Sequence, residues 1–299
     1  MTALRLGTRG SLLARTQSGS VAAALAAASG QPVELVRIRA EGDDTAIPLD
    51  APVRPGAFVA TLRDALLAGE VDLVVHSFKD LPSEPLPGLV IAAVPARGDP
   101  RDALCSRDGL GLAGLPAGGR VGTSSPRRAA GLRRIRPDLE VVPIRGNIDT
   151  RLRKVAEGTV DAAVLALAGL ARLDRRHEMT EAIDPRVLVP APAQGALAVE
   201  CRADELTGLL GVLDDRSSRL AVTAERAVLA GVQARCTTAV GALASWRAGR
   251  LELIAQLSGH AGIEFASASG TAAVAVVPDA LALGRLVAER LLAGADDSL

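Results

Sequence analysis

An internal repeat is the feature of this sequence that most constrains its fold. Residues 6–11 (LGTRGS) lead into an apolar helical stretch, and residues 121–125 (VGTSS) lead into a second helical stretch in the same way. Farther along each half, residues 69–77 (GEVDLVVHS) are matched by residues 158–166 (GTVDAAVLA). Strands that alternate with helices in this manner are typical of parallel α/β layers. The duplicated set of strands and helices therefore predicts two similar α/β lobes.

Two proline-containing segments indicate where the chain crosses between the lobes. Residues 95–100 (PARGDP) mark the first crossover, and residues 190–195 (PAPAQG) mark the return. The apolar strand pattern at 196–201, which follows the return, is expected to rejoin lobe one. We therefore assign two segments to lobe one, 1–96 and 195–214, and a single segment to lobe two, 97–194.

The remaining residues, 215–299, are predicted to form a small separate α+β domain. Amphipathic periodicity predicts helices at its two ends, 217–232 and 280–292. Four short strand patterns lie between these helices, at 241–246, 251–257, 265–268 and 271–277. The lobes have helical patterns at 12–28, 58–67 and 150–156. Residues 41–56 show no periodicity, and the length of this segment predicts a mobile flap.

The composition of the chain excludes several classes of function. With zero net charge and 1% aromatic residues, the chain has neither the basic excess nor the stacking platforms typical of nucleic-acid binding. Its three cysteines are scattered and fit neither a disulfide framework nor a metal cluster, so we predict no metal. No apolar stretch approaches the roughly 18 residues of a membrane span. We expect a soluble cytoplasmic protein that binds no membrane.

A local excess of positive charge points to an anionic ligand. Residues 120–154 contain ten basic and three acidic residues, a local net charge of +7. Arg127 and Arg128 follow Ser125 and Pro126 and fall in the first turn of a predicted helix, where free backbone N–H groups also attract anions. Arg145 and Arg151 repeat this arrangement at the next strand-to-helix junction. A solvated basic helix face is the alternative interpretation, and it suits three other arginines better, namely Arg133, Arg134 and Arg136.

The candidate ligand-binding residues all follow predicted strands. In sheets of this type, ligands bind beyond the carboxyl ends of the strands. Arg9, Ser11, Arg145 and the segments 76–80 and 123–128 all fall there. Two lobes that face each other across these strand ends predict a binding cleft with a hinge.

Two side chains in these segments could carry chemistry. Lys79 and Asp80 are adjacent at a strand end, where a carboxylate among cations can stabilise a developing positive charge or transfer a proton. The neighbouring His76 is interpreted as a packed, hydrogen-bonded histidine. Cys236 lies in a loop beside Arg235, which favours the thiolate, so a covalent role competes with that of an inert cysteine.

The ordered motifs of the chain resemble those of the porphobilinogen deaminase family. The motifs are LRLGTRGSLLA, GEVDLVVHSFKDLP, GDPRDAL, VGTSSPRR, PIRGNIDTR, LALAGLARL, PAPAQGALAVECR and AVTAERAVL, which occur nearly from end to end. The resemblance implies two periplasmic-binding-protein-like (transferrin-like) lobes with a small C-terminal domain that carries a cofactor. It also implies a transferase that condenses four porphobilinogen units head to tail, releases ammonia and forms hydroxymethylbilane.

The resemblance also implies roles for individual residues. Asp80 would be the catalytic carboxylate, which assists loss of ammonia and stabilises the azafulvenium cation, and Cys236 would carry a dipyrromethane cofactor through a thioether. Residues implied in cofactor binding are Ser77, Lys79, Thr123, Ser124, Ser125, Arg127 and Arg128. Residues implied in binding the substrate, whose acetate and propionate groups are anionic, are Arg9, Ser11, Arg145, Gly146, Arg151, Arg172 and Gln194.

Two departures from the family pattern leave alternatives open. The family commonly has two glycines before the cysteine, where this chain has Ala234 and Arg235, and its flap often carries a lysine where this chain has Arg54. One alternative is a degenerate paralogue that no longer loads cofactor. Another is a two-lobed carboxylate-binding sensor without catalytic activity. The expected partner is the small molecule porphobilinogen, and the chain is predicted to be a monomer.

Overall fold

The computed structural model describes residues 2–38, 57–203, 205–232, 239–258 and 265–294. The strands of these residues are β1 (Leu4–Thr8), β2 (Val33–Arg37), β3 (Leu73–Ser77), β4 (Leu89–Ala93), β5 (Asp102–Ser106), β6 (Arg120–Gly122), β7 (Glu140–Val142), β8 (Ala162–Ala166), β9 (Glu181–Ala182), β10 (Leu197–Arg202), β11 (Ala239–Arg247), β12 (Arg250–Ser258) and β13 (Phe265–Ala272). The α-helices are α1 (Leu12–Ser29), α2 (Ala57–Leu67), α3 (Pro126–Ile135), α4 (Ile148–Ala156), α5 (Leu167–Arg172), α6 (Thr207–Leu210), α7 (Arg216–Gly231) and α8 (Val277–Leu292). None of these helices combines the length and apolar character needed to cross a membrane.

Two five-stranded sheets have the same arrangement of strands. Their orders are β2-β1-β3-β10-β4 and β7-β6-β8-β5-β9. In each sheet the first three strands are parallel, and the fourth is antiparallel to its neighbours. The prediction of two similar α/β lobes and a small C-terminal α+β domain is confirmed, with a separate β11-β12-β13 sheet in that domain.

The parallel order of the strands ends at the fourth strand of each sheet. Residue 196, just before β10, accepts a hydrogen bond from the N–H of Phe78, at the end of β3 (3.1 Å). Likewise, the carbonyl of Arg101, just before β5, accepts one from Leu167, at the end of β8 (3.1 Å). Each strand therefore starts beside the carboxyl end of its neighbour and must run in the opposite direction.

The chain divides into two compact units. Unit one comprises Met1–Arg97 and Ala196–Arg219, and unit two comprises Gly98–Gly195 and Leu220–Leu299. Buried aliphatic side chains form the core of each unit, such as Leu6, Leu25 and Leu73 in unit one and Leu104 and Leu132 in unit two. In the C-terminal part of unit two, a further aliphatic core joins α7 and α8 to the three-stranded sheet.

The helix starts next to the predicted ligand-binding residues follow from local side chains. The Ser125 side chain accepts a hydrogen bond from the backbone of Arg128 and caps α3, whose first residue is Pro126. Asn147 caps α4 in the same way through the N–H of Thr150 (2.8 Å). Such caps satisfy backbone N–H groups that have no partner within the helix. The helix start predicted at Pro126 is confirmed, and α4 starts at Ile148, two residues before the predicted helical pattern at 150–156.

The prediction of two separate strands at 265–268 and 271–277 is wrong. They form one strand, β13, which ends at Ala272, and α8 begins at Val277 rather than at 280. Ser269 and Gly270 pair with Ile254 and Leu253 of β12 without a break, and Gly270 lies under α8, where a Cβ would come within 3.0 Å of the Val287 side chain. Asp279 accepts hydrogen bonds from the N–H groups of residues 275 and 276 and so starts the helix early.

Candidate active site

Asp80 lies on a short turn just beyond the carboxyl end of β3. The turn is a 3-10 helix, Phe78–Asp80, in which Phe78 is buried and its N–H donates to the carbonyl that precedes β10. Lys79 is half-buried and Asp80 is exposed. Phe78 thus anchors the turn in the core of unit one, while the carboxylate of Asp80 faces solvent.

Arg9, Ser11 and Ser77 lie at the same edge of the first sheet as Asp80. This follows because β1 and β3 are parallel neighbours, so that their carboxyl ends share one edge. Ser11 accepts the N–H of Ala14 (3.3 Å) and caps α1, and Ser77 is hydrogen-bonded to the side-chain amide of Gln17 (3.1 Å). Arg9 is half-buried. These three polar residues and the Phe78–Asp80 turn form one continuous polar edge.

The sequence interpretation missed a further cation at this edge. Arg37 ends β2, the parallel neighbour of β1, and its guanidinium lies against the backbone of Gly10. A Cβ at Gly10 would come within 2.6 Å of Arg37 Nη2, so a larger residue there would displace this exposed side chain. The signal available in the sequence was the glycine between Arg9 and Ser11.

Thr123, Ser124 and Ser125 form the corresponding edge in unit two. Thr123 is buried, and its hydroxyl accepts the N–H of Ser125 (3.2 Å). Ser124 donates its hydroxyl hydrogen bond to the carbonyl of Ile144 (2.5 Å), which joins the two strand-to-helix junctions of this unit. The hydroxyl run is therefore part of the local structure that starts α3.

Arg127 and Arg128 turn inward and converge on one buried carboxylate, that of Asp102. Arg128 Nη2 lies 2.7 Å from Asp102 Oδ1, and Arg127 Nη2 lies 2.8 Å from Asp102 Oδ2. Burial alone would raise the pKa of Asp102, but the charges of Arg127 and Arg128 and the amide of Gln194 outweigh it and lower the pKa to about 2. The stabilisation is thus fully present above the unfolded-state pKa of about 4 and is lost as the pH falls toward 2.

Arg151 and Arg172 are half-buried arginines of the same unit. Arg151 Nε donates to the carbonyl of Gly146 (2.9 Å), and Arg172 Nη2 donates to the carbonyl of Gly195 (2.6 Å). Burial lowers the pKa of both guanidiniums, and the charge of Arg128 lowers that of Arg151 further. In the part of the chain that the structure describes, no carboxylate pairs with either side chain. These two cations are therefore suited to an anionic ligand, whereas Arg145 is exposed at the same junction.

Gln194 is buried in the return crossover, where its amide N–H groups donate to Asp102 Oδ1 (2.9 Å) and to the carbonyl of Pro100 (2.8 Å). The preceding residue, Ala193, has a left-handed backbone (φ 62°). Its N–H donates to the fully buried carboxylate of Glu225 (2.6 Å), which also accepts the N–H of Ala244 (2.8 Å). Glu225 thus holds the crossover in place, a role that the sequence did not reveal.

The interpretation of His76 as a packed, hydrogen-bonded residue is confirmed. Its Nε2 lies 3.0 Å from Glu200 Oε2, and both side chains are buried. Glu200 also accepts hydrogen bonds from Arg63 Nε and Nη2, the latter at 2.7 Å. Burial alone would raise the pKa of Glu200, but the hydrogen bonds from His76 and Arg63 lower it. This triad ties α2, β3 and β10 together beneath the turn that carries Asp80.

Replacing Glu200 by glutamine should lower the free energy of unfolding by about 3–5 kcal/mol, because the buried charge of Arg63 would lose its carboxylate. Chemical denaturation followed by circular dichroism measures this change. Glu205→Gln is the matched control, since Glu205 is exposed and pairs with Arg202 at the surface, where ion pairs contribute little. Equal destabilisation by the two substitutions would contradict the importance of burial.

The alternative of a solvated basic helix face describes only part of α3. Arg133 is exposed, but the guanidinium of Arg134 lies over the ring of Phe265, 4.2 Å from its centroid. Arg136 pairs with Asp138 (2.6 Å) and donates to three backbone carbonyls at residues 112–115. Two of the three arginines therefore stabilise packing within unit two.

Cys236, its neighbours Ala234 and Arg235, and the predicted flap at 41–56 lie outside the described residues. The other two cysteines, Cys105 and Cys201, are buried. Burial raises the pKa of both thiols, that of Cys105 to about 12, which disfavours the reactive thiolate. No group of three or more His, Cys, Asp or Glu side chains placed to hold a metal ion occurs among the described residues.

Comparison with known proteins gives matches along nearly the whole chain. Residues 4–208 match the family described as "Porphobilinogen deaminase, dipyromethane cofactor binding domain", and residues 219–293 match "Porphobilinogen deaminase, C-terminal domain". The porphobilinogen deaminase of Thermobifida fusca is 52% identical over 304 residues, which cover 99% of this chain and 95% of that protein. That of Acidothermus cellulolyticus is 52% identical over 307 residues, 100% of this chain and 92% of that protein.

Proposed function

Because the chain belongs to the porphobilinogen deaminase family, we propose that Asp80 is its catalytic carboxylate and that the arginines of unit two bind the carboxylates of its ligands. The chain is a transferase that condenses four porphobilinogen units head to tail, releases ammonia and forms hydroxymethylbilane. Identity to curated porphobilinogen deaminases over the whole chain favours this activity over a degenerate paralogue or a binding sensor.

The observation that carries the proposal is the unbalanced positive charge in unit two. Arg127 and Arg128 share one carboxylate, Asp102, and Arg151 lies near Arg128, while Arg172 has only a backbone partner among the described residues. Guanidinium groups bind carboxylates in bidentate geometry, and partial burial strengthens that attraction. Substrate and cofactor are both rich in acetate and propionate groups, so the residues present fit these ligands.

Asp80 acts on the charge that develops during the reaction. Positive charge builds up on the substrate as ammonia leaves, and a fixed carboxylate nearby stabilises that charge in the transition state. The buried Phe78 holds the turn, so that Asp80 needs little reorganisation. Lys79 and Ser77, on either side of Phe78, are proposed to bind cofactor groups, and Arg9 and Ser11 to bind substrate at the same edge.

The cofactor of this family is dipyrromethane, which supplies the chain end that receives the first substrate unit. We propose Cys236 as its covalent attachment point and Thr123, Ser124, Ser125, Arg127 and Arg128 as its binding residues. Arg145, Gly146, Arg151, Arg172 and Gln194 are proposed to bind substrate carboxylates. The support from the structure is that these residues, Cys236 apart, gather at the strand-to-helix junctions of unit two and at the return crossover.

Replacing Arg145 by leucine should lower kcat/KM for porphobilinogen by about ten- to a hundredfold, the usual cost of losing a charged hydrogen-bond partner. Arg133→Leu is the matched control, because Arg133 is also an exposed arginine of unit two but lies on the outer face of α3. Steady-state kinetics on both variants test the assignment. Loss of activity in Arg133→Leu, or full activity in Arg145→Leu, would show that the site has been placed wrongly.

We also propose the domain limits 1–96 with 195–214, 97–194 and 215–299. Their support is that the chain passes between the two units at residues 97–98, inside the first predicted crossover, and at 195–196, where the second one ends. The protein is further proposed to act as a monomer in the cytoplasm. Sedimentation equilibrium of the purified chain tests the monomer, and a concentration-dependent dimer would exclude it.

A further inference from the structure

Arg127, Arg128 and the nearby Arg151 form an arginine cluster in unit two, in which Asp102 contacts Arg127 and Arg128. Asp102 belongs to the motif GDPRDAL, but the sequence analysis assigned it no role. We propose that Asp102 is a positioning residue, which holds the guanidinium groups of Arg127 and Arg128 in the orientation that receives the carboxylates of dipyrromethane. This inference rests on the proposed role of the two arginines in cofactor binding.

The burial and hydrogen bonds of Asp102 fix its carboxylate in one position against the arginine side chains. Its side chain is fully buried, and Oδ1 accepts hydrogen bonds from Arg128 Nε (2.9 Å), Arg128 Nη2 (2.7 Å) and Gln194 Nε2 (2.9 Å). Asp102 is the first residue of β5, and its backbone carbonyl accepts the N–H of Ile183 (2.9 Å). A carboxylate fixed on a strand within a sheet can hold two flexible side chains in one geometry.

The remaining donors of the two arginines indicate where a ligand would bind. A guanidinium has five N–H donors. Arg128 Nη1 donates to the carbonyl of Val164 (2.9 Å), so most donors of Arg128 are used within the protein. Arg127 Nη1 donates to the carbonyl of Val189 (2.8 Å), whereas Arg127 Nε is buried and has no hydrogen-bond partner among the described residues. A buried donor without a partner is costly, and a ligand carboxylate would satisfy it.

The charges of the cluster support the same conclusion. Two guanidiniums, those of Arg127 and Arg128, contact the single negative charge of Asp102, which leaves an excess of +1, and the positive charge of Arg151 acts on Arg128 nearby. Without Asp102 the two inward-facing guanidiniums would repel each other in a region of low dielectric constant and separate. With Asp102 they stay together, and the remaining positive charge is available to an anionic ligand. Asp102 therefore sets both the geometry and the net charge of the cluster.

The experiment compares full-length wild type, Asp102→Asn and a control, Asp72→Asn, by intact mass as purified. Asp72 is also multiply bonded to an arginine, Arg5, but it lies before β3, at the opposite end of that strand from Asp80. The fraction of Asp102→Asn chains that carry the dipyrromethane mass increment should fall about tenfold or more, because misplaced guanidiniums bind carboxylates poorly. Asp72→Asn should retain the increment even if its unfolding midpoint falls by a similar amount.

Two results would overturn the proposal. One is wild-type occupancy in Asp102→Asn, and the other is a parallel loss of occupancy in Asp72→Asn at equal destabilisation, which would reduce Asp102 to a stabilising residue. If Asp102→Asn does not fold, Asp102→Glu decides the question, since the charge remains while the carboxylate moves. Reduced occupancy at an unchanged midpoint supports the proposal, and full occupancy overturns it. A wild-type chain without any increment would instead contradict the proposed cofactor attachment itself.

Discussion

Asp80→Asn should retain the fold of the protein and lose turnover by about 10²- to 10³-fold, the scale on which one preorganised electrostatic group acts in a transition state. Asparagine preserves the shape of the side chain but removes the negative charge that faces the developing cation. The fold should tolerate the change, because Asp80 is exposed and the turn is anchored by the buried Phe78. The rate of hydroxymethylbilane formation under substrate saturation measures the loss of turnover. The circular dichroism spectrum and the unfolding midpoint test whether the fold is retained.

A matched control is available in the same unit. Asp64 is an exposed aspartate on α2, away from the strand end that carries Asp80, so Asp64→Asn should keep wild-type turnover. The effect of Asp80→Asn should appear mainly in kcat, because the charge is needed most in the transition state. Near wild-type turnover of Asp80→Asn would remove this carboxylate from the mechanism.

Cys236→Ser should abolish the covalent cofactor and with it all product formation. The intact mass of the wild-type protein should exceed the sequence mass by two linked pyrrole rings with their acetate and propionate arms. Serine should lose this increment, because a hydroxyl group at neutral pH is a far poorer nucleophile than a thiolate. Intact mass spectrometry of the purified protein and the colour reaction of pyrroles in acid both report the adduct.

The other two cysteines are the controls for this prediction. Cys105 and Cys201 are buried, and their raised pKa values keep the thiols protonated at neutral pH. Cys105→Ser and Cys201→Ser should therefore keep the mass increment. An unmodified wild-type mass that persists after incubation with porphobilinogen or preformed tetrapyrrole would favour the degenerate paralogue, in which Ala234 and Arg235 replace the usual glycines.

The sequence alone was sufficient for features that depend on neighbouring residues. The internal repeat predicted two similar lobes, and Ser125-Pro126 predicted a helix start, since a cap involves residues within about four positions of one another. The placement of Arg9, Ser11 and Asp80 at one sheet edge followed from the rule that parallel strands share their carboxyl ends. The local pattern failed at residues 265–277, because Ser269 and Gly270 continue one strand beneath α8 where the sequence had indicated a break between two strands.

Only the tertiary structure decided which buried charges meet. Arg128 pairs with Asp102 across 26 positions, and Arg63 pairs with Glu200 across 137. No periodicity encodes such contacts, because they depend on which strands become neighbours and which side chains lose their water. The inward orientation of Arg127 and Arg128 has the same origin. Their position in the first turn of α3 depends on neighbouring residues, but the buried carboxylate that fixes them, Asp102, comes from β5. Sequence pattern thus determined where the functional residues stand along the chain, and long-range burial decided what their charges contact.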